Sequence, residues 1–317
     1  MMEKKRKIGL SNLDTRPFVL GGNVFGWTAD EQESYHILDT YQEAGFDFID
    51  TADVYSRWVE GNKGGESETI IGNWLKKSGK RDKVTLATKV GSPMSDTEKG
   101  LKKEYIIKEA EVSLKRLKTD YIDLYFVHYD DMSAPIEETL EAFEKLINQG
   151  KVSYIGISNM SPERIRESME ISKKNSLPAY VCLQPEYNLY DRQNYEKEYE
   201  PLVNEYGLGV ISYSSLASGF LTGNYHSKDD LSGKKRGSRV EGYLNDRGTR
   251  ILKALEEVAE TYNATPAQIA LAWIQARPSV TAPIASVSKT SQFDILKSVD
   301  IDLSKEAMEK LNTASDE

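Results

Sequence analysis

Short β-branched or aromatic runs alternate with charged amphipathic stretches of helical length along this chain, and no linker or shift of composition breaks the alternation. Seven of the runs are "FDFIDTA", "VTLATKV", "IDLYFVH", "VSYIGISN", "YVCLQPEYN", "GVISYSSL" and "VTAPIAS", and "FVLGGNVFG" near the start makes the eighth. Between them lie stretches such as "ESETIIGNWLKKS", "EYIIKEAEVSLKRLK", "IEETLEAFEKLINQG" and "TPAQIALAWIQAR", with apolar residues at helical spacing. Eight strand–helix units in succession predict a (β/α)8 TIM barrel rather than an open doubly wound sheet. With 317 residues, 39% of them apolar, the chain can bury the core of one such domain over 1–317. Two segments stand outside the repeat. "KKRKIGLSNLDTRP" is expected as an N-terminal hairpin closing one end, and "HSKDDLSGKKRGSRVEGYLNDRG" as a long, basic, functional or mobile loop. Extra helices are expected after the last strand.

A formal charge of -9 argues against nucleic acid or an anionic membrane as the main partner. The basic start "MMEKKRKIGLSN" is followed by no apolar leader core, and no later stretch approaches the roughly 20 apolar residues of a membrane span. A soluble cytoplasmic protein is therefore expected, with its oligomeric state left open. The lone Cys182 and the dispersed His36, His128 and His226 predict neither a disulfide scaffold nor a metal site.

In a barrel of this kind chemistry sits where strands end and the following loops begin. Asp50 ends the second run, Lys89 the third and His128 the fourth. Asp50 and Tyr55 have opposite parity, so a turn must carry Tyr55 back over the barrel mouth. Each residue alone has a plain structural explanation: a strand-end Asp caps a helix, a terminal Lys is solvated, and a lone His is a hydrogen-bonded core residue. An Asp, Tyr, Lys and His set on three consecutive strand ends is harder to ascribe to chance.

These residues resemble the aldo-keto reductase family. "DTADVY" is similar to the family's Asp-Thr-Ala-x-x-Tyr motif, "ATKV" to its strand-end lysine, "FVHYDD" to its histidine and "GISN" to its nicotinamide-amide motif. The likeness runs on through "LQPEYN", "SYSSLASGFLTGNY", "TPAQIALAWI" and "SKTSQ", and so covers nearly the whole chain. It implies a barrel reductase acting on a small carbonyl compound with a nicotinamide cofactor and no Rossmann unit; no Gly-x-Gly-x-x-Gly is present.

Elementary chemistry gives that set its roles. Hydride delivered to a carbonyl carbon builds negative charge on oxygen, which calls for a proton donor and fixed positive dipoles. Tyr55 is the expected donor, Lys89 the ammonium that lowers its pKa, and Asp50 the partner that keeps Lys89 charged. His128 orients the carbonyl oxygen, while Asp53 is read as a loop or cap residue. The resemblance further implies that Ser158, Asn159 and Gln184 hold the carboxamide and that the nicotinamide stacks on Tyr213. It puts Ser214, Leu216 and Gly219 along the pyrophosphate and Asn23 near the nicotinamide end. Arg236 and Arg239 either fold over the cofactor or lie in solvent.

"PIASVSKTSQFDIL" points to NADP(H). If a helix opens after "PIAS", then Ser288, Lys289 and Gln292 sit at its N-terminal amides, with Ser286 nearby, and together form an anion site for a 2′-phosphate. The chain departs from the family pattern at Ser286, Ile295 and Leu296. A second departure, the insertion "SRWVEGNKGG", is read as a substrate loop with Trp58 as its apolar wall. Two other readings stay open. A Schiff-base lyase would use Lys89 as nucleophile, and potassium channel β subunits, which resemble this family, use the fold for regulation.

Overall fold

The computed structural model describes residues 5–233 and 235–316. Residues 1–4, part of the stretch read as lacking a leader, and residue 234 in the basic segment lie outside the described residues, as does residue 317. The chain opens with an antiparallel pair, β1 (Arg6–Lys7) and β2 (Asp14–Thr15), the expected hairpin. The repeat follows as β3 (Val19–Gly21), α1 (Glu31–Glu43), β4 (Phe48–Asp50), α2 (Glu66–Ser78), β5 (Thr85–Val90), α3 (Lys103–Leu117), β6 (Ile122–Val127) and α4 (Ile136–Asn148). It continues through β7 (Val152–Ser158), α5 (Pro162–Asn175), β8 (Cys182–Gln184), α6 (Glu200–Tyr206), β9 (Gly209–Ser212), α7 (Gly237–Val240), α8 (Asp246–Thr261), α9 (Pro266–Gln275), β10 (Ala282–Ala285) and α10 (Lys305–Ser315). The strands β3 to β10 close into a parallel barrel in chain order, with β10 pairing both β3 and β9.

Strand parity decides what fills the barrel. Phe48, Ala87, Leu124 and Phe126 belong to an inner cluster with Val19, Cys182, Ile211 and Ile284, whereas Ile49, Leu86 and Tyr125 join the larger cluster between barrel and helices. Asp50 shares the parity of Phe48, Lys89 that of Ala87, and His128 that of Phe126. One alternation therefore aims all three polar residues inward at the same end of the barrel. The opposite end is closed by the hairpin, whose Ile8 joins the inner cluster. There Gly9 has φ +53, and a Cβ on it would stand 2.2 Å from the Val181 carbonyl oxygen, so only glycine lets the hairpin press this close.

Helix starts follow local chemistry. Asp30 accepts from the Glu33 N–H at 2.8 Å, and Thr265 and Gln268 form a reciprocal capping box around Pro266. Two expectations change. The first strand stops at Gly21, and Gly22–Val24 is already a 3-10 turn. The basic segment is not a plain loop: it folds into short turns over Lys228–Leu231, Gly237–Val240 and Glu241–Tyr243, anchored where Tyr243 stacks on Phe220. The extra helices expected after the last strand are present, a 3-10 helix over Thr290–Asp300 and then α10. No helix among the described residues is long and apolar enough to cross a membrane.

Candidate active site

A cleft of about 990 Å³ opens at the C-terminal ends of the strands. At its floor the Lys89 Nζ donates to Asp50 Oδ2 at 2.6 Å, to the Thr51 carbonyl at 2.7 Å and to Tyr55 Oη at 3.2 Å. Tyr55 reaches that position because the chain turns after β4, with the Tyr55 N–H bonded to the Ala52 carbonyl. The second oxygen of Asp50 accepts from Gln184 Nε2 at 2.9 Å, so β4, β5 and β8 are tied through one carboxylate. Lys89 has no exposed surface. Burial alone would pull its pKa down, but Asp50 and Tyr55 outweigh burial, and the ammonium is held above its ordinary value.

The Tyr55 phenol differs from expectation. Burial raises its pKa more strongly than the Lys89 charge lowers it, so the net direction is upward and the group is firmly protonated at neutral pH. Burial, aided by the Lys89 charge, drives the His128 imidazole well below its ordinary value, which leaves the ring neutral. Its Nδ1 is buried with no hydrogen-bond partner among the described residues. The ring stacks on Tyr129 and meets Tyr55 at 5.9 Å between centroids.

Asp53 is a loop residue, as expected, in the turn that follows β4, but it is a buried one: it has no exposed surface, and neither carboxylate oxygen has a side-chain partner among the described residues. It lies behind the site among Glu68, Glu109 and Arg116, and burial together with the two glutamates pushes its pKa well above the carboxylate range.

Most of the residues expected at the cofactor line the cleft: Asn23, Ser158, Asn159, Gln184, Tyr213, Ser214, Leu216, Gly219, Ser286, Ser288 and Gln292. Several hold one another. Ser158 Oγ donates to the Gln184 carbonyl, Asn159 Nδ2 to the His128 carbonyl, Tyr213 Oη to Asn159 Oδ1 and Ser286 Oγ to Asn23 Oδ1, all within 2.7–2.9 Å. Ser214 and Ser218 adopt positive φ beside Gly219, a bent loop that turns backbone toward the cleft.

Lys289 is the exception, being exposed and outside the cleft lining. The expected anion site at this turn is occupied by the protein itself: Gln292 Oε1 accepts from the Ser288 and Lys289 N–H groups, and Glu33 from α1 accepts from the Thr290 N–H. Glu33 is distant in sequence, so reading the strand-end stretch alone could not reveal it. Positive charge reaches the cleft from the basic segment instead, through Lys235, Arg236 and Arg239. Arg236 has no carboxylate partner among the described residues; its guanidinium lies 5.2 Å from the centroid of the Trp27 ring.

Trp58 lines the cleft and is 49% exposed, edge-on to both Trp27 and Tyr55. Sequence reading missed Trp27, Tyr129 and Lys235 on the wall. It also missed Asn188, whose Nδ2 donates to the Ser214 carbonyl and braces the bent loop. Tyr129 and Trp27 carried a usable signal, since both are large aromatics just beyond strand ends. Asn188 carried one too, as the last residue of "LQPEYN".

The aldo/keto reductase family model matches residues 17–316. The chain belongs to the aldo/keto reductase family. It is 35% identical to the uncharacterized oxidoreductase YrpG of Bacillus subtilis, over 96% of this chain and 94% of the relative. A probable voltage-gated potassium channel subunit beta of Arabidopsis thaliana is 33% identical over 93% and 91% of the two chains. Probable aldo-keto reductase 1 of Glycine max is 34% identical over 83% and 73%. Family membership and these relatives support an oxidoreductase activity, and nicotinamide cofactors are general in this family.

The donor set of the cleft fits a dinucleotide of that kind. An aromatic wall at Tyr213, amide-bearing side chains, serines, a bent loop and three cationic side chains line the cleft together.

Proposed function

We propose that this aldo/keto reductase is an NADPH-dependent enzyme that reduces an aldehyde or ketone to an alcohol. The observation that carries the reading is the buried Lys89 ammonium in contact with both Asp50 and Tyr55 at the cleft floor, beside a neutral His128. A bound reduced nicotinamide supplies the hydride. Tyr55 gives its proton to the developing alkoxide, and the Lys89 charge stabilises the phenolate left behind. Asp50 keeps Lys89 charged and aimed. The uncharged His128 ring hydrogen-bonds the carbonyl oxygen without competing for the proton.

Ser158, Asn159, Gln184 and Tyr213 hold the nicotinamide end, with Asn23 beside them. Ser214, Leu216 and Gly219 follow the pyrophosphate. For the 2′-phosphate we assign Ser286, Ser288 and Gln292, with Lys235, Arg236 and Arg239 as the cations that meet the cofactor's phosphates, and give Lys289 no contact. Trp58 forms the apolar side of the carbonyl subsite. A charged, enclosed Lys89 is no nucleophile, which removes support for the Schiff-base reading.

The test is a fluorescence titration with NADPH and NADH followed by a panel of aldehydes. NADPH should bind more tightly, and Tyr55→Phe should lose about 10²–10⁴-fold in turnover while still binding it, as loss of a general acid does. Wild-type-like reduction by the Phe variant, or equal affinity for both cofactors, would overturn the corresponding part of the proposal. The channel-subunit names among relatives carry a regulatory alternative. A wild type that binds NADPH yet reduces none of the aldehydes would favour it.

A further inference from the structure

Trp27 stands in the cleft wall on the loop between β3 and α1, and none of the roles above employs it. Its backbone is fixed on three sides. The Trp27 N–H donates to the Val24 carbonyl at 3.1 Å, Thr28 Oγ1 and Ser288 Oγ are hydrogen-bonded at 2.7 Å, and Asn62 Nδ2 donates to the Gly26 carbonyl at 3.1 Å. Asn62 belongs to the inserted substrate loop, so that loop is built onto the Trp27 turn.

The ring makes two contacts that point in different directions. Trp58 meets it edge-on at 5.8 Å and 89°, and Trp58 in turn meets Tyr55 at 5.7 Å and 66°. From the other side comes Arg236, on the segment after β9, at 5.2 Å. A row of four side chains therefore runs from the basic segment to the proton donor. Arg236 feels the charge of Arg239, has no ion pair to a carboxylate among the described residues, and lines the cleft. A phosphate binds a guanidinium through two charge-assisted hydrogen bonds, a stronger attraction than an aromatic face offers, so phosphate in the cleft competes with Trp27 for Arg236. Trp58, half-exposed, is positioned by the two rings it touches.

We propose that Trp27 is a positioning residue that links the Trp58 wall of the carbonyl subsite to Arg236, so that a phosphate-bearing ligand in the cleft sets the shape of that subsite. The inference rests on the reading of Trp58 as substrate wall given above. Arg236 answers to either of two phosphates, the pyrophosphate or the 2′-phosphate, and the test separates them.

Tryptophan emission is titrated with ADP-ribose and with ADP-ribose 2′-phosphate, which carry the phosphates but no nicotinamide ring to quench the signal. Saturation is checked independently by calorimetry. Wild type should show a saturable change that is lost in Trp27→Ala and in Arg236→Met at full occupancy. A response to both ligands assigns Arg236 to the pyrophosphate, and a response to the 2′-phosphate form alone assigns it to that group. No change in wild type, or a change surviving either substitution, overturns the proposal. In turnover, Trp27→Ala should raise the KM for benzaldehyde about tenfold, more than it lowers kcat, and Trp27→Phe should restore most of it, given the energies of aromatic and cation–π contacts. An unchanged KM in Trp27→Ala also overturns it. Should no aldehyde be reduced at all, the proposed function fails while the emission titration still decides this inference.

Discussion

Asp53 keeps a carboxyl group fully buried two residues from Tyr55, with no side-chain partner for either oxygen among the described residues. Burial and the neighbouring Glu68 and Glu109 raise its pKa, so the folded protein binds a proton there that the unfolded chain releases above about pH 4. The linkage has a definite sign. The stability contribution is fully present below the unfolded pKa and is lost as pH rises toward the folded value. Asp53→Asn, which mimics the neutral form, should therefore be more stable than wild type by on the order of 1–3 kcal/mol at about pH 8 and nearly equal to it at about pH 4. Urea midpoints at the two pH values measure this, and a difference independent of pH would show that Asp53 is not held protonated. Tyr55 carries a parallel consequence. With its pKa raised, the alkaline loss of kcat/KM for reduction should lie above the ordinary phenol value of about 10. Lys89→Met removes the one charge that opposes the shift. It should abolish most activity and move what remains of the alkaline limb further up; an unmoved limb would deny Lys89 its electrostatic role.

Among the elements, β6 and β7 illustrate how the barrel interior limits sequence. A Cβ added to Gly156 would stand 2.4 Å from Phe126 Cε1 and 3.0 Å from the Cys182 carbonyl oxygen, so the ring on β6 fills the place of a side chain on β7. Phe126 is fully buried in the inner cluster, two residues before His128. Gly156→Ala should destabilise the fold by about 1–3 kcal/mol through overpacking. Shrinking the opposing ring with Phe126→Leu should make the pair less damaging than the sum of the two single changes, which a double-mutant cycle in denaturant would reveal. Strict additivity would mean that the backbone, not the ring, absorbs the new methyl. Because His128 directly follows the same strand, the double variant also tests whether inner packing sets the height of the imidazole, through the KM for the carbonyl.

On the scale of the whole molecule, what could be read in advance was whatever depends on local pattern. Eight alternating runs foretold the barrel, and the positions of Asp50, Lys89 and His128 at the ends of three consecutive runs foretold that they share one end. What escaped depends on contacts between segments far apart in sequence. Glu33 reaches the Thr290 N–H from 257 residues away, a contact that the strand-end stretch could not announce, and burial of Tyr55 by its neighbours reversed the expected direction of its pKa. Charge distribution is the third case of this kind. The net charge of -9 repels an anionic dinucleotide at long range, whereas Lys235, Arg236 and Arg239 attract it inside the cleft. The two effects respond differently to salt, since the Debye length is about 10 Å at 0.1 M and the distant charges are screened first. In wild type the contact attraction dominates, so NADPH affinity should fall severalfold between about 0.05 and 0.5 M salt. Replacing all three cations, as Lys235→Gln, Arg236→Gln and Arg239→Gln, leaves the long-range repulsion, and affinity should then rise with salt. Parallel salt slopes in the two proteins would mean that the segment after β9 does not meet the cofactor's phosphates, and would return that task to the turn after β10.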